Sequence, residues 1–203
     1  MANGHFFHKR RIIMTWFFSI GLVIVILFSS SYWENIYLLS DMFFLMGAVL
    51  VGVATVGRLW CSVYIAGYKT NTLITTGPYS MCRNPLYFFS LLGSVGVGLG
   101  TETLIIPAII SIGFVLYYPY VIKGEEKTLL RVHKNTFEEY RNTTPKFFPS
   151  FSLLNEPEQY TIKPKIFRRS IFDALWFVWI MGILEIVEAL HEYAVIPIFL
   201  RLY

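Results

Sequence analysis

Two short polar stretches carry the residue types that could bind a small charged ligand. The first contains Arg83, Asn84, Pro85 and Tyr87. Asparagine is favoured immediately before a helix and proline is tolerated in its first turn, so we predict a helix that begins at Pro85. The start of a helix exposes free backbone N–H groups and the positive end of the helix dipole, here beside the Arg83 guanidinium. Such a helix end would stabilise an anion.

Aromatic rings and glycines surround this predicted helix start. Tyr79 and Tyr87 could each place a ring face against a cation or a purine. Gly93, Gly96 and Gly100 clear one face of the helix, which permits either close helix packing or the close approach of a ligand. On these residues alone, a capped membrane helix and an anion-binding helix end explain the stretch equally well.

The second polar stretch spans residues 121–150. An amphipathic surface helix is predicted there up to about Arg141, with Glu125 and Glu126 at its start and apolar residues, including Phe137 and Tyr140, at helical spacing. Carboxylates are stabilised at a helix start, and this alone would account for them. If both stretches reach the same membrane surface, the glutamates and the helix start at residue 85 would hold a zwitterionic ligand between them.

Arg58 interrupts an otherwise apolar run. It lies on the order of 10 Å from the end of its predicted helix. An arginine at that depth either extends to the membrane interface or marks an ion pair or a substrate contact. We treat Arg58 as a candidate substrate-binding residue.

The last apolar segment contains an E-x-x-H motif, a spacing known from metal ligands. Its polar residues are Glu185, Glu188, His191 and Glu192. The sequence has no second E-x-x-H motif to complete a metal site, so we predict no metal centre. A polar helix face near the outer interface, or one that contacts another subunit, is the favoured interpretation.

The composition indicates which elements must position these residues. The 203-residue chain is 55% hydrophobic, 18% aromatic and 15% charged, with a mean hydropathy of +0.55. This is too apolar for an ordinary soluble domain and indicates an integral membrane protein. The net charge of +4 is explained by contact with anionic lipid and does not require nucleic acid. Cys61 and Cys82 have no metal-binding or redox spacing.

We predict one all-α membrane domain over residues 1–203, with about five transmembrane helices. The predicted spans are 12–28, 42–65, 86–101, 103–122 and about 170–200. The third and fourth spans form a tight helical hairpin, although the third is short for a complete crossing. The first span is interpreted as a signal anchor, and a cleaved signal peptide that ends at the serines of 29–31 is the alternative.

Positive charges predict the orientation. All lysines and arginines except Arg58 and Arg201 fall in residues 1–11, 66–85 and 123–169. Positively charged loops stay on the cytoplasmic side, so the N-terminus and the segments 66–85 and 123–169 are predicted to be cytoplasmic. Both polar stretches would then meet at one membrane surface.

These motifs, in this order, resemble the integral membrane methyltransferases that include isoprenylcysteine carboxyl methyltransferases and phospholipid N-methyltransferases. The resemblance covers residues 58–149. It rests on NTLI at 71–74, GPY at 77–79, RNPLY at 83–87, EEKTL at 125–129, and Phe137 and Tyr140 followed by Pro145.

The resemblance implies S-adenosyl-L-methionine as the cofactor, bound at the two polar segments. The implied cofactor-binding residues are Thr72, Leu73 and Ile74 through their backbone, together with Tyr79, Asn84, Tyr87 and Glu126. Arg83 and Glu125 are implied to position the reacting groups.

The sequence departs from the family pattern at several positions. Asn84 replaces the usual histidine, and His133-Lys134 replaces the usual Phe-Gly. The arginine that some members place four or five residues before the glutamates has no counterpart, and Lys123 is the nearest base. The acceptor is therefore the least determined part of the function.

The leading hypothesis is a methyltransferase that acts on a membrane-embedded or lipid-tailed acceptor, most like isoprenylcysteine carboxyl methylation. Phospholipid head-group N-methylation is the first alternative. A sterol-type reductase that uses NADPH, and a non-catalytic lipid-binding or scaffold protein, are the others.

Overall fold

The computed structural model describes residues 16–68 and 72–203. The helices are α1 (Trp16–Leu27), α2 (Tyr37–Ile65), α3 (Pro78–Met81), α4 (Pro85–Leu99), α5 (Ile105–His133), α6 (Asn135–Thr143) and α7 (Pro164–Glu192). Short 3-10 turns lie at Tyr32–Asn35 and Phe151–Leu153, and two strands, β1 (Ser29–Ser31) and β2 (Leu200–Leu202), pair in parallel.

Three helices are long and apolar enough to cross a membrane. α2, α5 and α7 each have 29 residues, about 43 Å at 1.5 Å per residue, which exceeds the thickness of a hydrocarbon core. α1 and α4 are also apolar but shorter. The predicted all-α membrane fold is confirmed, whereas five crossings and the cytoplasmic orientation stay predictions. Residues 12–15 of the first predicted span lie outside the described residues.

α2 is the central helix of the bundle. It packs against α4 and α7, and α4 packs against α5. Close contact between α2 and α4 depends on Gly47 and Gly96, because a Cβ atom at Gly47 would lie 2.5 Å from the Gly96 carbonyl oxygen. The glycine face of α4 therefore serves helix packing, one of the two uses that the sequence left open.

The helical hairpin is present, with α4 and α5 joined by residues 100–104. The prediction of a separate surface helix that starts at Glu125 and Glu126 is wrong. Good helix-forming residues follow the apolar span without a break, so α5 continues to His133 and holds both glutamates in its interior. The chain turns at Lys134, where φ is 46°, and α6 forms the shorter amphipathic helix.

The last helix also differs from its predicted range. α7 begins at Pro164 and ends at Glu192, and the chain then turns back to form β2. β2 pairs with β1 in the register Ser29↔Leu200, and Phe199 N donates to Phe28 O at 2.9 Å. Strands of three residues whose partners lie far apart in the chain leave no periodic pattern in the sequence.

Candidate active site

A cavity of about 190 Å³ lies where α2 ends and α4 begins. Its walls come from the segment after α2, from α3, from the start of α4, from α5 and from α6. The lining residues are Ile65, Tyr68, Thr72, Leu73, Ile74, Tyr79, Arg83, Asn84, Leu86, Tyr87, Glu125, Glu126, Leu129, Phe137 and Tyr140. The structure thus brings every predicted cofactor-binding and positioning residue to one cavity, and Arg58 is not among them.

Some lining residues were missed by sequence reasoning. Ile65 and Tyr68 line the cavity, although nothing in their local pattern distinguishes them from ordinary membrane-helix residues. Leu86 and Leu129 also line it, and they stand within the motifs RNPLY and EEKTL without having been assigned to the site. Phe137 was assigned only to helix packing. Phe137 lies on the apolar face of the short helix α6. That apolar face could have indicated a cavity-lining residue if α6 had been known to cover a polar segment.

α3 is held in place by the chain that follows α6. Gly77 adopts a positive φ of 60°, which favours glycine and turns the chain into Pro78. Gly77 N donates to Asn155 O at 2.8 Å, and Asn155 N donates to Ser80 Oγ at 2.9 Å. These bonds fix the backbone on both sides of Tyr79.

Arg83 and Glu126 form a partly buried ion pair across the cavity wall. Arg83 Nε donates to Glu126 Oε1 at 2.9 Å, and the two side chains are 10% and 18% exposed. Arg83 Nη1 also donates to Arg141 O at 2.8 Å and to Thr144 O at 2.6 Å. Arg83 therefore joins α5, α6 and the start of α4.

Asn84 occupies the N-cap position of α4, as predicted, but its side chain does not cap the helix. Asn84 Nδ2 donates to Lys146 O at 2.9 Å, while its backbone oxygen accepts from the N–H groups of Tyr87 and Phe88. Asn84, which is itself buried, provides a donor to the carbonyl of Lys146. The side chain thus secures the loop after α6.

Tyr87 and Glu125 meet on the opposite wall. Tyr87 Oη donates to Glu125 Oε1 at 2.6 Å, and the Tyr87 ring packs edge-on against Tyr118 with centroids 5.0 Å apart. The charged residues of the cavity lining are Arg83, Glu125 and Glu126. The charges of Arg83 and Glu126 cancel, so the Glu125 carboxylate gives the lining a net negative charge.

Tyr79 is 6% exposed, and its hydroxyl is buried with no hydrogen-bond partner in the described part of the chain. Its backbone oxygen accepts from Tyr140 Oη at 2.6 Å. Burial raises the pKa of Tyr79 well above its usual value, so the hydroxyl keeps its proton at neutral pH. A buried hydroxyl without a partner in a cavity wall is a donor that a bound ligand could satisfy.

The E-x-x-H residues lie at the other end of the bundle. Asp41, Glu102, Glu185, Glu188 and Glu192 line a hollow there. His191 Nε2 lies 3.0 Å from Leu27 O, and so the imidazole contacts the end of α1. Among residues 16–68 and 72–203, no group of three or more His, Cys, Asp or Glu side chains is arranged to hold a metal ion.

Comparison with known proteins decides the family. A sequence model described as phospholipid methyltransferase matches residues 35–136, which include most of the cavity lining. The chain belongs to this family. The predicted resemblance to the membrane methyltransferases is thereby confirmed, and no solved structure matches the chain.

Two curated relatives extend the match over nearly the whole chain. The cobalt-zinc-cadmium resistance protein CzcN of Cupriavidus metallidurans is 39% identical over 94% of this chain and 88% of its own length. The nickel-cobalt-cadmium resistance protein NccN of Alcaligenes xylosoxydans xylosoxydans is 37% identical over 97% of this chain and 92% of its own length.

Proposed function

We propose that this protein transfers a methyl group from S-adenosyl-L-methionine to a membrane-embedded or lipid-tailed acceptor. The observation that carries this proposal is the cavity itself. In a chain of the phospholipid methyltransferase family, three segments distant in sequence enclose a space lined by two glutamates, several tyrosines and an unsatisfied hydroxyl.

The charges of the cavity suit this cofactor. S-adenosyl-L-methionine combines a sulfonium, an ammonium and a carboxylate, and so has a net positive charge at neutral pH. The excess negative charge at Glu125 complements it, and the rings of Tyr79 and Tyr87 offer faces to a sulfonium or to adenine.

The hydrogen-bonding groups also fit. The segment 72–74 lies at the cavity wall and forms neither helix nor strand, so its backbone groups are not used by a regular element. The Tyr79 hydroxyl is a buried donor without a partner. Backbone groups recognise a base edge, and a hydroxyl donates to a ribose or carboxylate oxygen.

When bound, the cofactor supplies a methyl group on a sulfonium, which the acceptor takes by in-line displacement. The residues of this chain hold the two partners in line and exclude water. Arg83 keeps Glu126 oriented, and Tyr87 does the same for Glu125. A carboxylate acceptor needs no general base, whereas an amine acceptor must arrive without its extra proton.

Two acceptor classes follow from the family. Carboxyl methylation of a prenylated cysteine was the leading hypothesis, and head-group N-methylation agrees with the description of the matching family model. A radiolabelled methyl assay with a farnesyl-cysteine analogue and with phosphatidylethanolamine vesicles separates them. If a protein sample that binds S-adenosylhomocysteine labels neither acceptor, both acceptor classes are excluded.

Cofactor binding is tested directly by calorimetric titration of the detergent-purified protein with S-adenosylhomocysteine. We expect binding by the parent, and binding weakened about tenfold or more by Glu126→Ala or Tyr87→Ala through lost charge and aromatic contacts. Glu185→Ala, at the far end of α7, is the matched control and should bind like the parent. A folded parent that binds no S-adenosylhomocysteine would refute the proposal.

We also propose a cellular setting in divalent-metal resistance, because both curated relatives are named as metal-resistance proteins. Growth of a deletion strain in zinc, cobalt and cadmium tests it. If methyl transfer is the contribution, the parent gene restores resistance and the Glu126→Ala gene does not. Equal restoration by both would favour a non-catalytic scaffold instead.

A further inference from the structure

Arg58 is a charged residue inside a membrane-length helix, and not all of its N–H donors have a hydrogen-bond partner in the described residues. It lies seven residues before the end of α2. Arg58 Nη1 donates to Ser90 Oγ, and Nη2 lies 3.5 Å from Asp173 O, at the limit of a hydrogen bond. Arg58 Nε is buried without a partner in the described residues.

No described carboxylate forms an ion pair with Arg58, in contrast to Arg83, which pairs with Glu126. The Phe177 ring centroid lies 5.5 Å from the guanidinium carbon and provides a cation–π contact. A guanidinium can donate five hydrogen bonds. Donors and charge therefore remain for a ligand.

An open groove between α2 and α7 gives access to this cation. Arg58 lines it together with Phe172, Asp173, Trp176 and Trp179. The three aromatic side chains are 61%, 59% and 55% exposed, in chain order, on the outer surface of a membrane-length helix. A ligand can therefore enter this groove laterally from the bilayer.

We infer that the groove binds the head group of a zwitterionic phospholipid, with the phosphodiester on Arg58 Nη2 and the ammonium at Asp173 and the tryptophans. Arginine is well suited to phosphate, and desolvation strengthens the pairing. The exposed Asp173 carboxylate opposes a purely anionic head group, whereas it attracts an ammonium, which indole faces also bind.

The groove lies close to the candidate active site along α4. Ser90, which accepts from Arg58, donates to Leu86 O at 2.7 Å, and Leu86 lines the cavity. The two sites are thus separated by about one helical turn of 5.4 Å on α4. The inference that the bound lipid is the methyl acceptor rests on the proposed function. The inference that the groove binds the lipid is independent of it.

Binding is tested without cofactor by tryptophan fluorescence in nanodiscs that contain brominated lipid. The difference between the parent and Trp176→Phe/Trp179→Phe isolates the groove signal. We expect brominated phosphatidylethanolamine to quench this signal more than brominated diacylglycerol does at equal content. Arg58→Gln should remove the preference, and Arg168→Gln, which removes an exposed arginine of α7, should keep it.

Several outcomes would overturn the inference. These are equal quenching by the two lipids, an unchanged preference in Arg58→Gln, or displacement of the signal by millimolar inorganic phosphate, which would indicate a free-anion site. If Arg58→Gln does not fold, Arg58→Lys decides: a preference reduced about tenfold supports the inference, and full retention refutes a specific arginine contact.

The cofactor experiment keeps the two proposals apart. Arg58→Gln should bind S-adenosylhomocysteine like the parent while losing the lipid preference, and its KM for phosphatidylethanolamine should rise about tenfold. If the parent binds the lipid through Arg58 but binds no S-adenosylhomocysteine, the methyltransferase proposal fails and the lipid site stands.

Discussion

The two ends of this bundle both concentrate charged residues, yet they are built differently. The cavity end comprises residues 72–87 and 125–146, and the acidic end comprises Asp41, Glu102, Glu185, Glu188 and Glu192. At the cavity end, loop segments close over the helix ends, and the Tyr79 hydroxyl is buried with no partner among residues 16–68 and 72–203. At the acidic end, Ser31 Oγ donates to Glu102 O at 2.7 Å and Ser40 Oγ contacts the Glu102 carboxylate.

The difference shows what distinguishes a candidate site from a polar helix end. The acidic end has five carboxylates against two in the cavity lining, but its buried member, Glu102, bonds to Ser31 and Ser40, and its Asp41, Glu185 and Glu192 side chains are exposed. The cavity lining has three charged residues, Arg83, Glu125 and Glu126, and they are positioned around one space. Closure by the chain after α6, rather than the number of acidic residues, creates the binding geometry.

The largest effect is expected from Arg83→Met, which removes the ion pair that holds the cavity end together. Glu126 would be left partly buried without its partner, and the carbonyls of Arg141 and Thr144 would each lose a donor. We expect a loss of about 3 kcal/mol in the free energy of unfolding and no measurable S-adenosylhomocysteine binding. Thermal melting and calorimetry in detergent measure both, with Arg168→Met as the control. Parent-like melting would show that the ion pair does not support the cavity.

Tyr79→Phe separates binding from stability at the cavity end. The lost hydroxyl has no partner in the described protein, so the free energy of unfolding should not fall, whereas S-adenosylhomocysteine binding should weaken about tenfold. Tyr140→Phe is the matched comparison, because its hydroxyl bonds to Tyr79 O, and it should lower stability by about 1 kcal/mol. The reverse pattern, with Tyr79→Phe less stable and binding unchanged, would contradict a ligand-binding role.

At the acidic end, Ser31→Ala should affect stability alone. It removes a buried hydrogen bond to the Glu102 carbonyl, which contributes about 1 kcal/mol. S-adenosylhomocysteine titration of the variant should match that of the parent. Weakened cofactor binding would mean that the two ends are coupled through α4 and α5.

The smallest effect is expected at Cys82, a fully buried thiol between α3 and α4. Burial raises the pKa of Cys82 to about 11, so the folded protein retains a proton that the unfolded chain releases at lower pH. The resulting stability is present below the ordinary thiol pKa and is lost as pH rises towards 11, with a slope of at most about 1.4 kcal/mol per pH unit. Melting temperatures from pH 8 to 10 should fall more steeply for the parent than for Cys82→Ala. Parallel curves would contradict this.

Much of the candidate site could be predicted because its residues follow local rules. Asn84-Pro85 predicted the start of α4, and the turn into α3 at Gly77-Pro78 is explained in the same way, since both depend on backbone preferences within a few residues. The side-chain partner of Asn84 could not be predicted, because Lys146 O reaches it only after α6 and the following loop fold back. The continuation of α5 through Glu125 was missed because a membrane span and a surface helix share helix-forming residues.

The sequence by itself determined that this is a helical membrane protein of a methyltransferase family, and it located the two polar segments that contain the candidate site residues. Apolar runs, turn residues and motif spacing are local properties of the chain, and they specify this much. Only the tertiary structure decided that Arg83 pairs with Glu126 and Tyr87 with Glu125, and that the Tyr79 hydroxyl is left without a partner. These contacts join residues distant in the chain, and they form when α2, α4, α5 and α7 pack closely together through van der Waals contacts.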